Sequence, residues 1–152
     1  MPEDARRTEF VENLGGSLAQ MGFPRMPARV FALLLTAPED SLTAKELAER
    51  LGVSAAAISG AVRYLTQFRM ITRTRAAGDR LDRFGVGVNI WEHAIQAEAA
   101  SFDALLAMFD RALDDIDFGG AKERVEETRD FLAFYRAEVP HLLERWRGTR
   151  NR

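Results

Sequence analysis

Apolar positions recur at helical spacing over most of the chain. Between residues 3 and 21, Phe10, Leu14, Leu18 and Met21 share one helical face, while Gly15-Gly16 weakens that helix by about 1 kcal/mol per glycine relative to alanine. Such a helix depends on packing against something else. The run Met26-Pro27-Ala28-Arg29-Val30-Phe31-Ala32-Leu33-Leu34-Leu35 has proline in its first turn and is strongly apolar, which predicts a buried core helix ended by Pro38. Thr43-Ala44-Lys45-Glu46 is a capping box for a short helix that carries Leu47 and Leu51 and stops at Gly52. Ser54 caps another helix a few residues later, with Ile58, Val62 and Leu65 inward. Beyond it, Ile71–Arg75 and Phe84–Val88 alternate on either side of a turn-forming tip at Ala76-Ala77-Gly78-Asp79-Arg80, the pattern of a β-hairpin.

The last third is helical. Trp91, Ile95, Phe102, Leu106, Phe109, Leu113 and Ile116 follow spacings of three and four, with Ala99 filling the gap, until Gly119-Gly120 breaks the pattern. Val125, Leu132, Val139 and Trp146 then recur every seven residues, with Thr128, Tyr135 and Leu142 between them, a coiled-coil-like seam. Pro140 predicts a kink there. Phe131 and Phe134 add a second apolar flank, more than a two-layer packing requires.

These elements predict a mainly α chain with a small β-hairpin. Helix, short turn, helix, hairpin is the order of a winged helix-turn-helix, and the residue between the two short helices must be free to take positive φ. Three segments follow: an N-terminal helix over 1–24, the winged helix-turn-helix over 25–89, and two long helices over 90–152. The N- and C-terminal helices read as dimerisation arms. In the second short helix Ala55, Ala56, Ala57, Ser59 and Gly60 are all small, so its first turns can seat deeply in a major groove. Arg63 and Gln67 lie on the same outward face, one and two turns on.

Composition excludes much and initially points away from DNA. The chain has 152 residues, no cysteine and a net charge of −2. Without cysteine there are no disulfides, thiol nucleophiles, iron–sulfur clusters or Cys-ligated zinc. The two histidines, His93 and His141, have no ligand-spaced carboxylate pair beside them, so neither metal nor cofactor is expected. No nucleophile elbow, P-loop or dinucleotide glycine motif is present, which argues against an enzyme. No apolar run approaches the roughly 18–20 residues of a membrane span, and the first residues are acidic where a signal peptide is basic. The expected compartment is the cytoplasm. By segment the charge is uneven: −2 over residues 1–24, +4 over 25–83 and −4 over 84–152. Within and before the hairpin, Arg63, Arg69, Arg73, Arg75, Arg80 and Arg83 face only Asp79 and Asp82. Arginine suits bidentate phosphate contacts and narrow minor grooves.

Several motifs together resemble MarR-type regulators of the GbsR-like group. They are residues 21–30, residues 42–54, Ile58-Ser59, Arg63-Tyr64-Leu65 and the wing run Gly78-Asp79-Arg80-Leu81-Asp82-Arg83-Phe84. The resemblance covers roughly residues 10–147. It implies a homodimeric DNA-binding repressor whose N- and C-terminal helices form the dimer interface, with a small-molecule or partner signal read between the two lobes. The chain departs from the family's frequent basic or polar residue after the capping serine. Specificity is therefore expected to lean on thymine-methyl and backbone contacts and on the wing.

The residues assigned to DNA are Thr43, Ser54, Ala55, Ala56, Ala57, Ser59, Gly60, Arg63, Gln67, Arg73, Arg75, Arg80 and Arg83, on a pseudo-palindromic double-stranded operator. Trp91, Phe102, Phe109, Phe131, Phe134 and Tyr135 are candidates for an effector pocket, since aromatic faces hold cations, although aromatic residues on such spacing are more often dimer core. Two readings of the hairpin stand side by side: a DNA-binding wing, and the solvated face of a protein-interaction module that no longer reads sequence.

Overall fold

A computed structural model of the chain describes residues 2–75 and 77–150. Ala76, counted above in the hairpin tip, lies outside the described residues, as do Met1, Asn151 and Arg152. The chain divides into two compact units, Met1–Ile90 and Trp91–Arg152.

The first unit is built around one helix. α1 (Glu3–Gln20) packs along α2 (Arg25–Thr36), and α2 also touches α3 (Ala44–Leu51) and α4 (Ala55–Gln67). Ala28, Val30, Phe31, Ala32, Leu33 and Leu34 of α2 are all buried, as the sequence predicts for a core helix. Fully burying Phe31 alone contributes about 1.5–3 kcal/mol. α3 adds Leu47 and Leu51 to this core, and α4 adds Ile58, Ala61 and Leu65. The glycine pair of α1 does more than weaken a helix. Gly15 is buried, and a Cβ there would stand 3.2 Å from Cα and Cγ of Arg29, so the two helices approach closely at this point.

The sheet has three antiparallel strands in the order β1 (Leu42–Thr43), β3 (Arg83–Gly85), β2 (Thr72–Thr74). The hairpin is present, but its second strand starts one residue earlier than Phe84–Val88 and is shorter. Leu42 pairs with Phe84, and Thr72 with Gly85. The strand is placed by the unexpected β1, and Gly85 lies so close under the Asp40 carbonyl oxygen that a Cβ would collide with it. Val88, beyond the strand, is exposed.

α4 ends in a way the sequence does not announce. The Met70 N–H reaches the Leu65 carbonyl and the Arg69 N–H the Thr66 carbonyl, closing the helix through Arg69 at φ 55°. That position favours glycine, and an arginine there costs about 1 kcal/mol.

The second unit is a helical hairpin, α5 (Ile90–Asp115) and α6 (Lys122–Arg150), joined through a short 3₁₀ turn at Gly119–Ala121. Its core is small: Ala99, Val139 and Leu143 are buried, with Ile95 and Tyr135 packed against them. α6 runs through Pro140 without ending. Its inner stripe also differs from the expected seam. Val125, Leu132, Tyr135 and Val139 are on it as expected, but Arg129 and Leu143 take the places of Thr128 and Leu142, and Arg136 stands beside Tyr135. Leu142 and Trp146 are exposed. The arginines are on this stripe because α5 answers them. Arg129 pairs with Asp110 at 2.7 Å, Arg136 with Asp103 at 2.8 Å, and Arg147 with Glu92. Steps of seven and eleven residues along α6 meet the same steps, reversed, along α5, which is one antiparallel register. The edge-to-face ring pair Phe102–Tyr135, centroids 5.3 Å apart, lies near the same register.

The Arg136 guanidinium holds the Asp103 carboxyl below its ordinary range. A lowered folded-state pKa means that the pair stabilises above the ordinary aspartate range and that this contribution is lost as pH falls through the lowered value. Arg136→Gln is therefore expected to melt below the unsubstituted chain at pH 7, with the gap closing as pH falls below the ordinary aspartate range. A gap that does not change with pH rules the ion pair out as its source.

Candidate nucleic-acid interface

The two short helices are fixed by their ends. Thr43 Oγ1 accepts from the Glu46 N–H at 3.2 Å, and the Thr43 N–H donates to Glu46 Oε2 at 2.7 Å, so the capping box is complete. These bonds from Thr43 lower the Glu46 pKa. α3 closes at Gly52, φ 64°, through bonds from the Gly52 N–H to the Glu49 carbonyl and from the Val53 N–H to the Ala48 carbonyl. Ser54 Oγ then accepts from the Ala57 N–H at 3.2 Å and starts α4. Arg50, in the last turn of α3, grips Glu39 at 2.6 Å and holds that carboxyl down to about 2.

Of the residues assigned to DNA on α4, Ala55, Ala56, Ser59, Arg63 and Gln67 are exposed, whereas Ala57 and Gly60 are half-buried at the edge of that face. Thr43 is buried, so it serves as a cap beneath the surface. A Cβ on Gly60 would meet nothing within 4 Å, so packing does not require glycine there. Between α4 and the sheet runs an open groove of about 530 Å³, with Ser59, Arg63 and Gln67 on one wall and Arg73 and Asp82 on the other.

The hairpin arginines are not equivalent. Arg73 and Arg75 both bond Asp82, Arg75 through Nε at 2.9 Å. Arg83, expected to face outward, is turned into the domain: Nε donates to Ser41 Oγ at 2.9 Å and Nη2 to the Ser41 carbonyl at 2.8 Å. Its partners lie before β1, a strand that the sequence pattern did not reveal. Arg80 sits at the exposed tip, where Gly78 takes φ 85° and Asp79 Oδ1 accepts from the Leu81 N–H. Among the described residues, neither Arg63 nor Arg80 is paired with a carboxylate. Arg29 is structural, bonding Glu12 at 2.6 Å and the Leu51 carbonyl at 3.3 Å. Asp82 is the residue whose part sequence reasoning missed. The signal was available, because the hairpin register carried one step further sets Arg75 opposite Asp82.

The six aromatic candidates do not converge within the second unit. Phe102 and Tyr135 pack together inside the hairpin, whereas Phe131 and Phe134 are 65% and 63% exposed on another face of α6. The cleft of about 220 Å³ between α5 and α6 is lined instead by residues such as Gln96, Arg136, Pro140 and Arg147. Among the described residues, no group of three or more His, Asp or Glu is placed to hold a metal, and no helix is long and apolar enough to cross a membrane.

Comparison with known proteins follows the same division of the chain. A family model described as MarR family matches residues 21–80, and one described as MmpR5-like MarR family transcriptional regulator matches residues 89–149. The HTH-type transcriptional regulator MmpR5 of Mycobacterium tuberculosis (strain ATCC 25618 / H37Rv) is 31% identical over 141 residues, covering 91% of this chain and 85% of that protein. A crystal structure of a transcriptional regulator superposes with a TM-score of 0.84 at 30% identity, covering 94% of this chain and 99% of the other.

The bonds of Arg83 make it a brace and leave Arg80 as a free tip. Arg83→Gln is expected to lower unfolding stability by about 1–2 kcal/mol, and Arg80→Gln to change it by less than about 0.5 kcal/mol. Denaturant midpoints at constant slope check both, and equal losses would contradict the distinction.

Proposed function

The chain belongs to the MarR family of DNA-binding transcriptional regulators, and we propose that it acts as a homodimeric repressor whose α4 helices enter two major-groove half-sites. The family and the matched relative are transcription regulators, not enzymes. The observation that carries the reading is the outer face of α4. Its first two turns present only Ala55, Ala56, Ser59 and Gly60, and Arg63 and Gln67 follow beside the arginine hairpin. A glycine in mid-helix costs about 1 kcal/mol relative to alanine. No neighbouring side chain asks for it, so close approach of a DNA backbone or base edge is its use. Thr43 and Ser54 fix the two helix starts, Arg63 and Arg80 reach phosphate or base edges, and Arg73 flanks the groove with Arg75 beyond it at the same strand end.

The dimer is supported by what the second unit leaves uncovered. Phe131, Phe134, Leu142 and Trp146 are all exposed on α6, outside its stripe toward α5. Residues 90–152, with the N-terminal helix over 1–24, serve as the dimerisation arms, and residues 25–89 as the reading head. Two α4 helices then address half-sites about one DNA turn, roughly 34 Å, apart. A small-molecule effector releases DNA by favouring another separation of the two heads. The narrower GbsR-like assignment rests on the sequence motifs, while the family match over the long helices is to the MmpR5-like type.

Two experiments test this. Gly60→Ala is expected to raise stability by about 1 kcal/mol and to weaken binding to DNA from upstream of the chain's own gene by tenfold or more in a gel shift. Binding that survives the added methyl removes α4 from the groove. Sedimentation at micromolar concentration is expected to give a dimer, and Phe131→Glu with Phe134→Glu a monomer. A double variant that stays dimeric rules that face out of the interface.

A further inference from the structure

The hairpin carries four arginines, yet their charge is not all directed at solvent. Arg83 is bonded to Ser41, and Asp79 is occupied with the Leu81 N–H. That leaves Arg73, Arg75 and Arg80 as cations at the surface, and two of these three share one carboxylate. Asp82 Oδ1 receives Arg75 through Nε at 2.9 Å and Nη2 at 2.8 Å, and Oδ2 receives Arg73. The layering is informative. The Asp82 side chain is only 20% exposed, while those of Arg73 and Arg75 are 57% and 56% exposed. The carboxylate therefore lies beneath two guanidinium groups that keep unused N–H donors. Both Arg73 and Asp82 line the groove beside Arg63 and Gln67, so the cluster borders the face assigned to DNA.

Each carboxylate oxygen accepts from a different guanidinium, a role that the non-bridging oxygens of a phosphodiester can take over. Exposed pairs of this kind are individually weak, about 0–1 kcal/mol, so an arginine can be transferred to a real phosphate at little cost. The cluster nevertheless presents one net positive charge where two arginines alone would present two. We propose that Asp82 is an internal competitor for DNA phosphate, which holds Arg73 and Arg75 and suppresses sequence-independent binding by the wing. The proposal rests on the DNA-facing reading of this surface. It assigns Asp82 a part in specificity by restraint: the electrostatic attraction common to all DNA is lowered, and more of the binding is left to the contacts of α4.

The test uses the full-length protein and a random-sequence duplex of about 30 base pairs, with affinity measured by fluorescence anisotropy across a salt series. Each phosphate neutralised contributes about 0.9 to the slope of log affinity against log salt. Asp82→Asn is expected to steepen that slope by about one and to raise affinity about tenfold at 0.1 M salt. Asp82→Glu, which keeps the charge, is expected to hold the original slope. Asp82→Ser replaces the asparagine variant if thermal unfolding shows that the latter is not folded. A slope that is unchanged or shallower in the neutral variants overturns the proposal, because a purely structural Asp82 would weaken the wing when removed. If the unsubstituted protein shows no salt-dependent binding at all, the DNA-facing reading falls instead, and the proposal with it.

Discussion

The burial of α2 is the constraint on which the first unit depends. α1, α3, α4 and β3 each pack against it, and its apolar residues leave almost no face for water. Its position therefore sets where α4 lies and, through β3, where the hairpin is rooted. α1 closes one side by laying Gly15 against the backbone of Arg29. The same arginine then crosses to Glu12 and to the carbonyl of Leu51 at the end of α3. One residue of the core helix thus ties α1 to the end of α3, and its charge is neutralised where it passes.

This local pairing changes the meaning of the charge distribution. The middle segment has an excess of four positive charges, but excess is not the same as availability. Arg29 and Arg50 are paired with Glu12 and Glu39, and Arg83 is held by Ser41. Arg73 and Arg75 divide one aspartate between them. Among the described residues of the segment, the arginines outside any ion pair or Ser41 contact are Arg25, Arg63, Arg69 and Arg80, so the field that remains for a polyanion is smaller than the count of arginines suggests.

Much of the fold is legible in the sequence where one local rule decides the outcome. The capping box at Thr43, the stop at Gly52 and the cap at Ser54 each depend on a few adjacent residues, and each is present as read. What is not legible depends on partners distant in sequence. β1 is two residues long and exists because β3 comes alongside. The α6 stripe departs from the expected seam at Thr128 and Leu142 and takes in Arg129 and Arg136, to which apolar periodicity gives no weight. Asp110, Asp103 and Glu92 mirror Arg129, Arg136 and Arg147 in spacing, and that correspondence can be read only when both helices are considered together. Arg69 shows a third limit. A left-handed cap was sought at glycines, and here tertiary burial of Met70 holds an arginine in that conformation. In the candidate site the small face of α4 was visible, whereas the unequal standing of the hairpin arginines was not.

The contact beneath Gly85 gives the hairpin a fixed root and a free end. No side chain larger than hydrogen fits under the Asp40 carbonyl, while the tip beyond Arg75 is open to solvent on every described residue through Leu81. As related sequences diverge, length and composition can drift at the tip without disturbing the body of the domain. The same freedom makes this short stretch a natural place to graft a different hairpin end, giving one scaffold new binding preferences while its core stays unaltered.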